Sequence, residues 1–564
     1  MKHPSYIFVV GGVISGVGKG ITSSSIAKIL QDRGVRVTAL KIDPYVNVDA
    51  GTMNPTEHGE VFVLDDGYET DQDMGNYERF LNTSLSSRNY MTTGRVYQAV
   101  IANERALKYK GACVQVVPHV PLEVVARIEA AQREANAEVT VIEIGGTIGE
   151  YENILFLEAA RMMKLRDPDH VAFVMVSYLP TPGSLGEMKT KPTQHSVRTL
   201  NASGIQPDIV IARSTLALDE KRKQKISYFC NVSEDHVIAA PDIKSIYDVP
   251  LNFERENLSD KLGKILHVKL GAKNGGTKQW VQFTNKIKNA KDTVKIAMVG
   301  KYFETGAFVL SDAYLSVIEA VKYSACAYGK RAEIEWVNAG EFEKPARPRG
   351  ASGAGGNPAS VARLLRYDGI IVPGGFGSRG VEGKIAAIRF AREKKIPYFG
   401  LCYGMQLAVI EFARHAAGMP SATTRENNPK SDCCIIDIME TQREKMDKQD
   451  FGGTMRLGTY PCTLMRGTIA QGAYRKSTIH ERHRHRYEVN PKFISQLEVA
   501  GLIFSGKSPD GTLMEIAELP KSEHPFFLGT QFHPEFLARP LQPHPLFTEF
   551  IKAAIAHAKA KRKK

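Results

Sequence analysis

Gly11-Gly12-Val13-Ile14-Ser15-Gly16-Val17-Gly18-Lys19-Gly20-Ile21-Thr22 follows the apolar run Tyr6–Val10 and precedes a helically spaced stretch, Ile21 to Gln31. A glycine-rich segment where a strand turns into a helix lets several backbone N–H groups and the helix N-terminus face one anion, for which a triphosphate is the natural ligand. The strict GxxxxGK[ST] pattern fails twice, because Val13 holds the first glycine position and Gly20 follows the lysine. Val35 to Lys41 reads as the next strand, so the chain opens as strand, loop, helix, strand.

Working outward, Val139 to Ile144, Val171 to Ser177 and Asp208 to Ala212 are short, continuously apolar runs. Such runs mark strands of a parallel sheet covered on both faces. Residues 271–293 (GAKNGGTKQWVQFTNKIKNAKDT) are polar and lysine-rich and are expected to be a linker. A second alternation follows: a strand ending at Gly300, a helix from Leu310 to Tyr328, and strands at Arg331 to Val337 and Tyr367 to Val372. At 564 residues the chain exceeds a single core, and two doubly wound α/β domains are expected. The boundaries read as 1–270, a linker 271–293, 294–556, and a basic tail 557–564 (HAKAKRKK) taken as frayed and solvated. Lys344 to Ser360 is Pro/Gly/Ser-rich and expected to be a surface insertion.

The 43% hydrophobic and 24% charged content is that of an ordinary globular chain. Seven scattered cysteines without paired spacing argue against a zinc site or disulfide framework and fit a reducing, cytoplasmic setting. No apolar run reaches the roughly 20 residues of a spanning helix, so no membrane partner is expected. The net charge of +13 suits nucleotides as partners; nucleic acid is not expected, since no aromatic residues interleave with the basic tail.

Two groups of residues carry chemistry. A magnesium-bound triphosphate needs protein carboxylates, and Glu143 closes an apolar strand, while Asp71 and Asp73 offer a second acid. Lys41, at the end of the second strand, adds a cation near the phosphates. In the C-terminal half, Gly400-Leu401-Cys402-Tyr403-Gly404 runs from a strand into a helical pattern, an elbow that exposes the thiol near a helix N-terminus. Some 130 residues later, Gln531-Phe532-His533-Pro534-Glu535 reads as strand-like, with His533 and Glu535 projecting to one side as base and orienter. Pro373-Gly374-Gly375-Phe376-Gly377 supplies unobstructed N–H groups for an oxyanion.

These residues resemble the triad glutaminase domain of class I glutamine amidotransferases, and the N-terminal half resembles the P-loop NTPase-like synthetase domain of the CTP synthase family. The resemblance spans nearly the whole chain. It is carried by Gly51-Thr52-Met53-Asn54-Pro55 with His58-Gly59-Glu60-Val61, Glu143-Ile144-Gly145-Gly146-Thr147, Lys189-Thr190-Lys191-Pro192-Thr193-Gln194-His195-Ser196, Gly452-Gly453-Thr454-Met455-Arg456-Leu457-Gly458 and Glu481-Arg482-His483-Arg484-His485-Arg486-Tyr487. It implies a ligase that aminates UTP to CTP through a 4-phosphorylated intermediate, with ATP as substrate and Mg²⁺ as metal.

By the same resemblance, Ser15, Gly16, Val17, Gly18, Lys19, Gly20 and Ile21 hold ATP with Asp73, Arg213 and Asp242. Asp73 and Glu143 hold magnesium, and Lys19 and Lys41 serve catalysis. Ser15, Glu150, Glu152, Lys189, Thr190, Lys191, Gln194 and Lys225 contact UTP or CTP. Cys402 forms a thioester, His533 shuttles its proton and Glu535 orients the imidazole. Gly375 and Phe376 line the oxyanion segment, while Gln406, Glu426 and Arg486 hold the ends of glutamine. Ammonia is an alternative nitrogen donor. GTP as allosteric activator, CTP as feedback inhibitor, a homotetramer and polymerisation into filaments are further implications. The rival readings are a cobyric-acid-type amidotransferase, against which the KTKPTQHS stretch argues, and a partitioning-type ATPase, which leaves Cys402, His533 and Glu535 unexplained.

Overall fold

The computed structural model describes all residues except 1–2, 184–185, 273–274, 301–303, 306–307, 310, 344–357, 376, 440–441, 443–451 and 564. Most of the expected insertion therefore lies outside the described residues. The chain forms two compact units, Met1–Ala50 with Asp73–Thr284, and Gly51–Gln72 with Asn285–Lys564. The cut between Thr284 and Asn285 falls inside the stretch read as a linker. The excursion of Gly51–Gln72 into the second unit was not legible from composition.

The first unit is built on a seven-stranded sheet in the order Tyr90–Thr92, Val37–Asp43, Val139–Ile144, Ser5–Gly11, Val171–Tyr178, Ile209–Ser214, Val237–Pro241. Every pairing is parallel. The central strands are buried end to end, which is why they read as unbroken apolar runs. Ser5–Gly11 has later strands on both sides, so its carboxyl end is the switch point where α/β sheets bind ligands. The register sets Lys41 directly opposite Glu143, bringing a cation and an acid to that edge.

The stretch expected to be a linker is instead largely a helix, Gly275–Asn289. Trp280 and Phe283, one turn apart, are buried, and the indole Nε1 donates to the Tyr247 carbonyl at 2.8 Å. The polar composition that suggested a linker is that of the helix's other face.

The second unit carries a nine-stranded sheet in the order Arg331–Asn338, Thr293–Gly300, Gly369–Val372, Tyr398–Leu401, Phe527–Thr530, Met514–Glu518, Ile503–Lys507, Arg456–Leu464, Thr478–His485. The first five strands are parallel and the rest antiparallel. Three neighbouring parallel strands thus end, at one edge, in the glycine loop 373–377, in Cys402 and in the segment leading to His533. The basic tail is not frayed: helix Pro545–Lys563 runs through it, Phe547, Phe550 and Ile551 are buried, and Lys561 Nζ donates to the Tyr367 carbonyl at 3.0 Å. Among the described residues, no helix is long and apolar enough to cross a membrane.

Candidate active site

In the first unit the loop departs from the strict pattern for visible reasons. Val13 has φ +78°, so the first glycine position keeps a glycine's conformation although a valine fills it. Gly16 and Gly18 also have positive φ, and Gly18 precedes helix Lys19–Asp32. A Cβ on Gly20 would lie 2.1 Å from Asp73 Oδ1. A serine or threonine there would have to displace the Asp73 carboxylate, which occupies the space.

Around this loop the charges are closely knit. Lys41 Nζ lies 2.5 Å from Asp73 Oδ2 and 2.9 Å from Glu143 Oε1. Tyr77 donates to the other oxygen of Glu143. Burial pushes the Glu143 carboxyl up despite the Lys41 ammonium beside it. Burial acts on Asp73 in the same sense, but Lys41's charge and hydrogen bond outweigh it and hold that carboxyl below its usual range. Lys19 is buried, its pKa lowered by that burial, and its Nζ donates to the Gly146 carbonyl at 2.6 Å. A Cβ on Gly11 would meet that ammonium at 2.8 Å, so the glycine is what lets the lysine cross the strand end. Among the described residues, no cluster of three or more Asp, Glu, His or Cys forms a metal cage. Two hard carboxylates beside a phosphate loop suit Mg²⁺, which completes its shell with phosphate oxygens and water.

The other nucleotide candidates distribute around this edge. Ser15 and Gly16 are exposed at the loop's tip and Val17 is buried. Arg213 Nη1 donates to the Val17 carbonyl at 3.1 Å, and its Nη2 is paired with Asp242. Glu150 accepts the Thr147 N–H at 2.9 Å, and Glu152 is exposed nearby. Lys191, at the start of helix Lys191–Ala202, lies 5.7 Å from the Phe229 ring centroid on helix Glu220–Cys230, which also carries the exposed Lys225. Thr190 and Gln194 are buried and bonded to each other at 3.1 Å, whereas Lys189 pairs with Glu187. Neither of this buried pair is turned to solvent.

In the second unit Cys402 sits at φ 49°, ψ −98°, between strand Tyr398–Leu401 and helix Tyr403–His415. So tight an elbow requires small neighbours: a Cβ on Gly404 would stand 2.1 Å from the Val372 carbonyl oxygen. The sulfur contacts Gln531 Nε2 at 3.6 Å and the Arg484 carbonyl at 3.8 Å. His533 Nδ1 is 2.7 Å from Glu535 Oε1. The strand-like reading of 531–535 is corrected, because the strand stops at Thr530 and His533 caps the short 3-10 turn Pro534–Leu537. Proline cannot extend the ladder, and the turn itself brings the carboxylate back to the ring.

Burial alone would lower the pKa of His533, but the Glu535 carboxylate and then the Cys402 sulfur outweigh it and raise it to about 10. Its Nε2 is buried, and the Cys402 sulfur acts on the ring through both its charge and a hydrogen bond. A pKa raised on folding gives stability that is complete below the unfolded value near 6.5 and lost as pH rises through about 10. Thermal melts from pH 7 to 10 should therefore fall more steeply for the native protein than for His533→Asn. Equal slopes would deny the ion pair.

Cys402, His533, Glu535, Gly374 and Gly375 line one cavity of about 180 Å³, with Met53, Pro55, Glu60 and Val61 among its other walls. The stretch Gly51–Val61, read as part of the N-terminal domain, thus contributes to the cysteine's pocket. Phe376 lies outside the described residues. Gln406, Glu426 and Arg486 are not among the lining residues. Gln406 Nε2 reaches Gln531 Oε1 at 3.1 Å, Glu426 accepts the Gly377 N–H at 2.6 Å, and Arg486 Nη1 bonds Gln442 and Thr454 at 2.9 and 3.0 Å. Sequence reasoning gave no role to Gln531, Arg484 or Tyr77. The first two sit inside quoted motifs, whereas nothing around Tyr77 singles it out.

A thiol on a strand-to-helix elbow with an imidazole and carboxylate at the same sheet edge defines a class I glutamine amidotransferase, here in one chain with a phosphate-loop α/β unit. Residues 309–553 match the family described as glutamine amidotransferase class-I, and residues 5–268 match CTP synthase N-terminus. The chain belongs to the CTP synthase family. It is 47% identical over 552 residues to the CTP synthase of Halalkalibacterium halodurans, covering 98% of this chain and 99% of that one. The CTP synthase of Pyrococcus furiosus is 49% identical, with 97% of each chain covered. Among solved structures, the glutaminase domain of Trypanosoma brucei CTPS with bound acivicin is 37% identical, covering 47% of this chain and 94% of that one at a TM-score of 0.41.

Proposed function

We propose that this enzyme is a carbon–nitrogen ligase that converts UTP, ATP and glutamine into CTP, ADP, phosphate and glutamate. The observation that carries the reading is that one chain holds a Cys-His-Glu triad and, in a separate compact unit, a glycine loop with two lysines and two buried carboxylates. The match over 98% of the chain favours it over the cobyric-acid-type alternative.

In the first unit, the loop from Ser15 to Ile21 takes the ATP phosphates and Arg213 with Asp242 the adenine side. Asp73 and Glu143 would hold Mg²⁺, which would supply charge neutralisation at the phosphates. Lys19 and Lys41 stabilise the phosphoryl group as it passes from ATP to the 4-oxygen of UTP, making a good leaving group of a poor one. Ammonia then attacks carbon 4 and phosphate departs. Glu150, Glu152, Lys189, Thr190, Lys191, Gln194 and Lys225 bind the pyrimidine nucleotide.

In the second unit, Cys402 attacks the glutamine amide carbon, with its proton held by His533. The tetrahedral oxyanion is met by N–H groups at Gly375 and Phe376, and collapse passes the proton to departing ammonia. Water then attacks the thioester, releasing glutamate and restoring the thiol. Gln406, Glu426 and Arg486 hold the substrate's charged ends, Gln406 acting through Gln531.

GTP activation, CTP inhibition and a homotetramer are part of this reading. A cytoplasmic setting accords with all seven cysteines being free. The test is CTP formation from UTP, ATP and Mg²⁺ with glutamine and with ammonia in turn. Both donors should support it, and turnover with neither would refute the assignment.

A further inference from the structure

Strand Thr478–His485 carries two arginines whose main chain and side chains serve different neighbours. The Arg482 carbonyl accepts the His533 N–H at 2.8 Å, while its guanidinium Nε reaches Asp65 at 2.6 Å and its Nη1 the Val63 carbonyl at 3.1 Å. The Arg484 carbonyl faces the Cys402 sulfur at 3.8 Å, while its Nε reaches Glu69 at 2.8 Å and its Nη2 the Gly51 carbonyl at 3.3 Å. Each thus has its backbone on a triad residue and its side chain on the strap Gly51–Gln72.

The strap is itself fixed. Thr459 N–H donates to the Asp65 carbonyl at 2.9 Å, and Glu60 accepts the Ser316 N–H at 3.0 Å. Gly67 and Gly458, both at positive φ, pack so closely that a Cβ on Gly458 would stand 2.6 Å from the Gly67 nitrogen. The Arg484–Glu69 pair is the more enclosed link, with side chains 11% and 1% exposed. Its geometry is therefore little loosened by solvent or salt. A Cβ on Gly51 would collide with the Glu69 carboxylate at 2.1 Å, so the backbone there is shaped around this ion pair.

We propose that Arg484 is a positioning residue for thioester chemistry, through which Glu69 and the strap fix the Cys402 sulfur against His533, with Arg482 and Asp65 performing the same office for the imidazole. This rests on the triad reading above. Arg484 acts through its backbone, so its effect belongs to the chemical step more than to glutamine capture.

Glu69→Gln removes the charge while keeping the shape. Its glutamine-dependent kcat should fall by about tenfold or more, because small misplacement of reacting groups costs rate steeply. KM for glutamine should stay within about twofold, the pattern of an interaction felt at the transition state. The ammonia-dependent rate should be unchanged, and Cys402 alkylation by iodoacetamide should slow. Arg484→Lys should behave alike, and Asp65→Asn, at the more exposed pair, should do so more weakly and replaces Glu69→Gln if thermal melts show that variant unfolded. An unchanged kcat and alkylation profile, a rise in KM alone, or a parallel loss with ammonia would each overturn the proposal. Native protein that neither uses glutamine nor alkylates at Cys402 would instead overturn the triad.

Discussion

Cys402→Ala should make no measurable CTP from glutamine while keeping the native rate with ammonia. The thiol ends strand Tyr398–Leu401 at the one edge where His533, Glu535 and the glycine loop converge, and those groups cannot replace its nucleophile. Losing the nucleophile of such a unit costs on the order of 10⁴- to 10⁶-fold. The substitution removes a single sulfur from a small cavity, so the second unit should melt within about 1 kcal/mol of the native protein. The triad and the phosphate loop belong to different compact units, so the phosphorylating chemistry should not register the change. CTP formation followed with each donor, together with glutamate release, decides the matter. Loss with both donors in a folded protein would defeat the division of labour.

What the sequence made legible was whatever depends on local pattern. Unbroken apolar runs became the buried parallel strands Val139–Ile144 and Val171–Tyr178, and the two glycine-flanked turns became the phosphate loop and the elbow. Illegible were features decided by packing at a distance. Residues 271–293 read as a linker because the stretch is polar and lysine-rich, yet Trp280 and Phe283 suffice to dock a helix. The tail read as frayed because charge was counted without its partners, the Tyr367 carbonyl and Asp368. Gly51–Val61 stood out as a motif, but nothing local says that a segment early in the chain joins the second unit. Gln531 could have been chosen from its place two residues before His533, and its contact with the sulfur needed the fold.

Gly20→Ser, which restores the strict loop pattern, should damage the enzyme. The added Cβ would sit 2.1 Å from Asp73 Oδ1, 2.6 Å from its Cγ and 3.0 Å from Oδ2. Real Cβ atoms do not approach so closely, and Asp73 is not free to yield. It is tied to Lys41, which is tied to Glu143, which accepts from Tyr77, so displacing one carboxylate disturbs the whole charged group. A shift of about 1 Å among groups that must align on a phosphoryl transfer costs on the order of 100-fold. CTP formation should therefore fall with glutamine and with ammonia alike, while Cys402 alkylation stays native. A double-mutant cycle isolates the cause, because contacting residues should be non-additive. Gly20→Ser on an Asp73→Ala background should cost little beyond Asp73→Ala alone, since the colliding carboxylate is gone. Full activity in the single variant would mean that the loop and Asp73 are not packed as described, and the assignment of Asp73 to the metal would fall with it.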